Sequence, residues 1–355
     1  MKNVYREKRE AEYEKFLLDR KCPTPILEQA VFQVPEPEDN LPTGTSIDTT
    51  ISMDDFIGQL RAKELVGLNI NAWKKDPDKV PSHMLFTGPG GTGKSTIAHA
   101  VANGMGNKFI TTTPYMLRKP DQIFDFFFNK DYTSKIEKGD IIFIDEVHGF
   151  NMRMAAYMYN VLQDFCFDWV DPRTKQVMRL HIPRFLCIGA TTDAGMMHPP
   201  LRSRFTNRIE FEDYTVAELA EIVSKKYAME PEAAEEIGKR SSGNPRKALA
   251  LAQLSSLVQV RNDHMTVKED DVWEACEINN LDEKGLDSNA KRVVNYFLLT
   301  GNKPAGTNPV SASTGVYKTT LDGETFPTMA YAGVLVYTAK GKCLTDEYYT
   351  EQKEN

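Results

Sequence analysis

A chain of 355 residues exceeds the usual span of one compact core and points to two or three domains; at 41% apolar and 26% charged it reads as a soluble globular protein. A formal net charge of −7 argues against a protein that coats nucleic acid over its whole surface, while leaving room for a local basic site. No apolar run approaches the ~20 residues of a membrane span, no signal-peptide core follows the charged N-terminus, and the five cysteines are scattered without a C-x-x-C pair, so a cytoplasmic chain with reduced thiols, no membrane association and no zinc site is expected.

Residues 1–45 open with a charged, helical stretch, Tyr5 to Leu18, then lose periodicity through Pro23, Pro25, Pro35, Pro37 and Pro42, which predicts an arm or linker. Next, Met53 to Gln59 leads into a helical pattern over Leu60 to Trp73. A short apolar strand, Leu85-Phe86-Thr87, follows and runs into Gly88-Pro89-Gly90-Gly91-Thr92-Gly93-Lys94-Ser95-Thr96. Glycines at 88, 90, 91 and 93 let the backbone turn several N–H groups toward one anion, and the helix opening near Gly93 adds the positive end of its dipole. Lys94 can reach the β- and γ-phosphates and the Ser95 hydroxyl is placed to ligand Mg²⁺, so this stretch is a P-loop. The segment around Ile57 and the helix after it would wall the adenine of ATP.

About fifty residues on, Ile141-Ile142-Phe143-Ile144 is apolar throughout, as a strand buried on both faces must be, and it ends in Asp145-Glu146. Asp145 is assigned to the Mg²⁺ shell and Glu146 to polarising the attacking water. Candidate strands at Met84–Thr87, Phe109–Thr112, Ile141–Ile144, Phe185–Gly189 and Arg208–Phe211 alternate with helical stretches such as Lys94–Met105 and Met152–Phe165. That alternation predicts an α/β fold, a parallel sheet with helices on both faces and ligands beyond the carboxyl ends of its strands. The fourth strand ends in Thr191-Thr192, either of which can act as a γ-phosphate sensor, Thr192 being the choice. Then Pro199-Pro200-Leu201-Arg202-Ser203-Arg204 offers two arginines; Arg204 is the first candidate, Arg202 the second, for a finger that reaches a neighbouring subunit's γ-phosphate.

Residues 214–280 read as helices only, with capping boxes at Thr215-x-x-Glu218 and Thr266-x-x-Glu269. Between them Gly243-Asn244-Pro245-Arg246 sets Asn244 as N-cap, Pro245 at the first helical position and Arg246 in the first turn, where a phosphate is well received.

In this order the P-loop, the Asp-Glu strand, the threonine tip, the paired-arginine segment and the Gly-Asn-Pro-Arg helix resemble those of an AAA+ ATPase, and more narrowly the RuvB family of Holliday-junction branch-migration motors. The resemblance runs from about Met53 to Tyr349 and is most specific at Ile144-Asp145-Glu146-Val147-His148, Gln163-Asp164-Phe165, Ile188 to Gly195 and Pro200 to Phe205. It implies that Gly91 to Thr96 hold phosphates and Mg²⁺, that Arg204 is given in trans, that Arg246 is a lid sensor and that Tyr214 lies near the nucleotide. Where the family has an Arg-Pro pair before the adenine-side helix, this chain has Thr49-Thr50.

A hairpin over 167–182 would dock a RuvA-like junction-binding partner through Trp169, Val170, Val177 and Met178, unless these pack against their own domain. Asp287 to Tyr349 resembles a winged helix whose wing, Val334 to Leu344, carries Lys340 and Lys342 for the DNA backbone, with Lys318 sharing the grip. The expected division is an arm at 1–45, an ATPase domain at 46–213, a helical lid at 214–282 and the winged helix at 283–355. The implied function is an ATP-driven ring, a homohexamer on duplex DNA, that moves four-way junctions in recombination and repair. Rival readings are a clamp-loader-like or nucleotide-gated switch and a regulator acting on protein alone.

Overall fold

In the computed structural model the described residues are 51–76, 82–171 and 174–354, the side chain of residue 354 excepted. The N-terminal arm and the Thr49-Thr50 pair lie outside them. Elements in chain order begin with α1 (Leu60–Lys75), β1 (Met84–Thr87), α2 (Lys94–Met105), β2 (Phe109–Thr112), α3 (Pro120–Phe127), β3 (Ile141–Ile144) and α4 (Met152–Asp164). They continue with β4 (Cys166–Val170), β5 (Val177–His181), β6 (Leu186–Thr191), α5 (Pro199–Arg202) and β7 (Asn207–Glu210).

Five of these strands pair in parallel in the order β2-β3-β6-β1-β7. The pleat explains why the three central strands, β3, β6 and β1, are apolar almost without interruption, whereas the edge strands β2 and β7 carry polar residues. Ile142 and Ile144 of β3, Leu85 of β1 and Cys187 of β6 enter one buried cluster, with α3 and α4. Their neighbours Ile141, Phe143, Met84, Phe86, Leu186 and Ile188 enter the other, with α1 and α2. The expected fourth strand is longer at its functional end, reaching Thr191 and pairing it with Thr87 of the P-loop strand.

The β4–β5 hairpin forms as expected, with Trp169 opposite Met178 and Val170 opposite Val177. Trp169, expected on a docking face, is instead part of the core: its ring stacks on Phe124 at 4.5 Å and is 8% exposed. A large aromatic beside an existing phenylalanine cluster gains more from its own domain than from solvent. Val170 and Val177 are 51% and 73% exposed, and Met178 is half-buried.

After the sheet come α6 (Val216–Lys226), α7 (Pro231–Arg240), α8 (Pro245–Arg261) and α9 (Glu269–Ile278), which bury a core of their own around Leu219, Ile237, Leu251 and Val272. The first capping box is made as expected, Thr215 accepting from the Glu218 N–H and Glu218 from the Thr215 N–H. The second is not. The α9 N-cap is Lys268, because the buried Asp271 carboxylate accepts from the Lys268 N–H at 3.0 Å and also holds Asn262 and His264, leaving Thr266 outside the helix start.

The last part contains α10 (Ser288–Leu299), α11 (Thr307–Thr314), α12 (Lys318–Thr320), a π-helical turn over Leu321–Thr325 and α13 (Phe326–Tyr331). It ends in the hairpin β8 (Leu335–Thr338) and β9 (Gly341–Leu344) and α14 (Asp346–Glu354), around a fourth apolar cluster including Val293, Phe297, Leu321 and Phe326. Pro327 lacks an N–H and its ring would crowd the carbonyl of Gly323, which accounts for the wide turn ahead of it.

Candidate active site

The P-loop joins β1 to α2, with Gly88, Gly91 and Gly93 in positive-φ conformations that side chains resist. Space demands glycine as much as conformation does. A Cβ at Gly91 would stand 2.6 Å from Asn244 Oδ1 and 2.9 Å from Arg246 Cβ, and one at Gly93 would stand 2.8 Å from the Phe56 ring. The α8 N-terminus and the segment before α1 therefore press directly on the loop. Asn244 caps α8, accepting from the Arg246 N–H at 2.9 Å, and its Nδ2 donates to the Gly90 carbonyl at 2.7 Å. Ile57 is half-buried beside Phe56, and the Tyr214 hydroxyl donates to the Thr92 carbonyl at 3.1 Å.

Lys94 donates to the Gly88 and Pro89 carbonyls at 2.8 and 2.7 Å. Burial pushes its pKa down; the charges of Glu146 and Asp145 oppose that shift and Arg246 adds to it. The Asp145 carboxyl is pushed up by burial and by Glu146, against the pull of Lys94 and Arg246. These mutual influences bring Lys94, Asp145, Glu146 and Arg246 into one electrostatic cluster, beyond the ends of β1 and β3 where the topology puts ligands.

Glu146 sits at φ +50°, a left-handed turn that a glutamate adopts only when its surroundings impose it. Its Oε2 accepts from the Thr192 N–H and hydroxyl, both at 3.3 Å, and lies 3.1 Å from His148 Nδ1. The two threonines thus separate. Thr192 meets Glu146, whereas Thr191 is buried and its hydroxyl meets His148 Nδ1 at 2.9 Å. From the sequence alone His148, close beside Glu146, drew no role, and neither did Phe56, a lone aromatic between two aspartates and Ile57-Gly58.

The donor set suits a nucleotide with a hard divalent cation: a hydroxyl from Ser95, half-buried in the first turn of α2, and a carboxylate from Asp145 whose burial disfavours an uncompensated charge. Thr92 is buried, its hydroxyl donating to Pro89, and Thr96 follows Ser95 in the first turn of α2.

Arg204 lies apart from this cluster. Its guanidinium donates to Ser203 Oγ at 3.2 and 3.0 Å, stacks over Tyr159 at 4.7 Å, and faces a cleft of about 730 Å³ that Arg179, Arg184 and His181 also line. Arg202 is used at home, donating to the Ala194 carbonyl.

At the C-terminal hairpin Lys340 is exposed in the turn and Lys318 is exposed at the start of α12. Lys342, expected to share the wing's DNA grip, points inward: its ammonium bonds Thr307 at 2.8 Å and Asp322 at 3.0 Å over the Phe326 ring. A lysine between a carboxylate and an aromatic face is already neutralised.

Residues 50–211 match the family model described as the Holliday junction DNA helicase RuvB P-loop domain. The chain is 33% identical over 314 residues to the Thermotoga maritima protein named Holliday junction branch migration complex subunit RuvB, spanning 85% of this chain and 91% of that one. It is 32% identical to the protein of that name from Campylobacter hominis, over 85% and 88% of the two chains. A solved structure of the Thermotoga maritima RuvB Holliday junction branch migration motor superimposes with a TM-score of 0.73 at 32% identity, covering 85% of this chain and 97% of that one. By sequence along most of its length and by fold, the chain belongs to the RuvB family of P-loop proteins.

Proposed function

We propose that this chain is an ATP-driven DNA motor that encircles duplex DNA as a homohexameric ring in the cytoplasm and drives branch migration of four-way junctions. The observation that carries the reading is the composite site: P-loop, Asp145-Glu146, Thr192 and the lid residue Arg246 converge, while Arg204 lines a separate cleft with Arg179 and Arg184. A site with every part except a finger, and a finger directed elsewhere, supports completion by a neighbouring subunit.

Lys94 and Arg246 would bind and orient the triphosphate, and Glu146, held by Thr192 and His148, would accept the proton of the attacking water. Bound Mg²⁺, held through Ser95 and Asp145, would neutralise charge on the β- and γ-phosphates. Arg204 of the next subunit would meet the charge that develops in the transition state. Lys318 and Lys340 would hold the phosphate backbone as point charges, without reading sequence. The exposed cross-strand pair Val170 and Val177, with Met178, supports docking of a RuvA-like junction-binding protein on the hairpin.

The test is ATP hydrolysis without DNA, with linear duplex and with a synthetic four-way junction, at fixed low salt, for wild type and Lys318→Ala/Lys340→Ala. DNA stimulation that the double variant loses is the expected result. Turnover indifferent to every DNA would redirect the reading to a regulator acting on protein.

A further inference from the structure

One residue touches the P-loop, the lid and the C-terminal hairpin domain at once. The side-chain hydroxyl of Tyr214 donates to the Thr92 carbonyl in the P-loop at 3.1 Å. Its backbone N–H donates to the Gly243 carbonyl at 2.9 Å, immediately before the α8 cap. Its backbone carbonyl accepts from the Tyr331 hydroxyl at 3.1 Å, and Tyr331 closes α13.

The same helix is tied to the lid twice more. The Tyr331 ring fills the space above Gly243, where a Cβ would stand 2.7 Å from it, and Gly243 is held at φ +68°. One residue along α8 from Arg246, the Lys247 ammonium donates to the Thr328 hydroxyl at 2.6 Å. A displacement of Thr92 or Gly90 by nucleotide would reach Tyr214 and Asn244 through direct hydrogen bonds, and α13 through Tyr331 and Lys247. Packed contacts of this kind switch between discrete arrangements rather than yield continuously.

We infer that Tyr331 is a positioning residue that couples the state of the nucleotide site to the orientation of the C-terminal domain, acting through Tyr214 and the Gly243 turn. It acts through its contacts with the Tyr214 carbonyl and the Gly243 turn. This inference rests on the motor reading for its consequence, though not for its geometry. Tyr331→Phe keeps the ring over Gly243 and removes only the hydroxyl, so the variant should fold, less stable by the one bond to the Tyr214 carbonyl.

The experiment uses the full chain as wild type, Tyr331→Phe and Tyr331→Ala, with Lys247→Met as an independent cut of the second tie. Three quantities are read: unstimulated ATP turnover, affinity for linear duplex, and junction movement per ATP hydrolysed. Tyr331→Phe should leave the first two within about twofold and lower the third by about fivefold, the weight of one hydrogen bond; Tyr331→Ala should lower it further. Hydrogen exchange over residues 286–344, with and without ATP, supplies a readout independent of DNA work. A nucleotide-induced change in wild type that Tyr331→Phe lacks supports the relay, even if DNA fails to stimulate turnover and the motor reading falls. Wild-type coupling in Tyr331→Phe, an exchange response the variant leaves intact, or a proportional loss of every activity with thermal stability would overturn it.

Discussion

Two variants that are each inactive should restore activity when mixed. Arg204→Ala removes a guanidinium whose ties within its own chain are two bonds to Ser203 and a stacking contact with Tyr159. Those exposed contacts contribute on the order of 1 kcal/mol to stability. An arginine finger contributes ~10³ or more in rate, about 4 kcal/mol of barrier. Turnover should therefore collapse while folding and nucleotide affinity persist. Lys94→Ala leaves the finger intact and disables its own P-loop, whose lysine bonds the Gly88 and Pro89 carbonyls. In rings mixed at equal ratio, a working site needs an Arg204→Ala subunit supplying the P-loop and a Lys94→Ala subunit supplying the finger. Random assembly forms such pairs at about a quarter of interfaces. ATPase assays across mixing ratios should rise from near zero at both ends to a maximum midway. A flat baseline at every ratio, with rings confirmed by light scattering, refutes completion in trans, as does full turnover by Arg204→Ala alone.

Gly91→Ala should weaken ATP binding by about tenfold or more, because its Cβ meets Asn244 and Arg246 and positive φ adds strain of ~1–2 kcal/mol; fluorescent-nucleotide titration measures it, and unchanged affinity would mean the lid is not seated on the loop. His83 is buried, accepts the Cys187 N–H at Nδ1 and faces the Leu162 carbonyl with Nε2, so Nε2 carries the proton. Burial lowers its pKa from 6.5 to about 4, against the opposing pull of the Leu162 carbonyl. The unfolded chain thus binds the proton first. The associated stability is present above pH ~6.5 and is lost as pH falls toward ~4, by up to about 3 kcal/mol. Urea unfolding across that window should show the slope, and a fold-competent His83→Gln should flatten it. Lys340→Ala should reduce the salt dependence of duplex binding by about one phosphate contact, whereas Lys342→Ala should instead lower the melting temperature through loss of its bonds to Thr307 and Asp322; the reverse pattern would return Lys342 to the DNA-facing surface.

What the sequence determined by itself was whatever depends on near neighbours. The positive-φ turns of the P-loop, the apolar run ending in Asp145-Glu146 and the Asn244-Pro245 helix start are each set by residues within one turn or strand, and each forms as read. The alternation of strand and helix was enough for the parallel sheet, because strands buried on both faces leave a continuous apolar signature. Tertiary structure decided the rest, where residues far apart compete for one partner. Trp169 turned inward because Phe124, 45 residues earlier by numbering, offered it a ring to stack on. Lys342 was neutralised by Asp322, and the choice between Thr191 and Thr192 was made by His148 and Glu146 on the adjoining strand end. The α9 cap passed from Thr266 to Lys268 because a buried carboxylate must satisfy every donor around it. Tyr214, a single aromatic after the last strand, owes its role wholly to three segments that the fold brings to its backbone and hydroxyl. No local pattern encodes such a junction, since its energy resides in contacts between elements that are strangers in sequence.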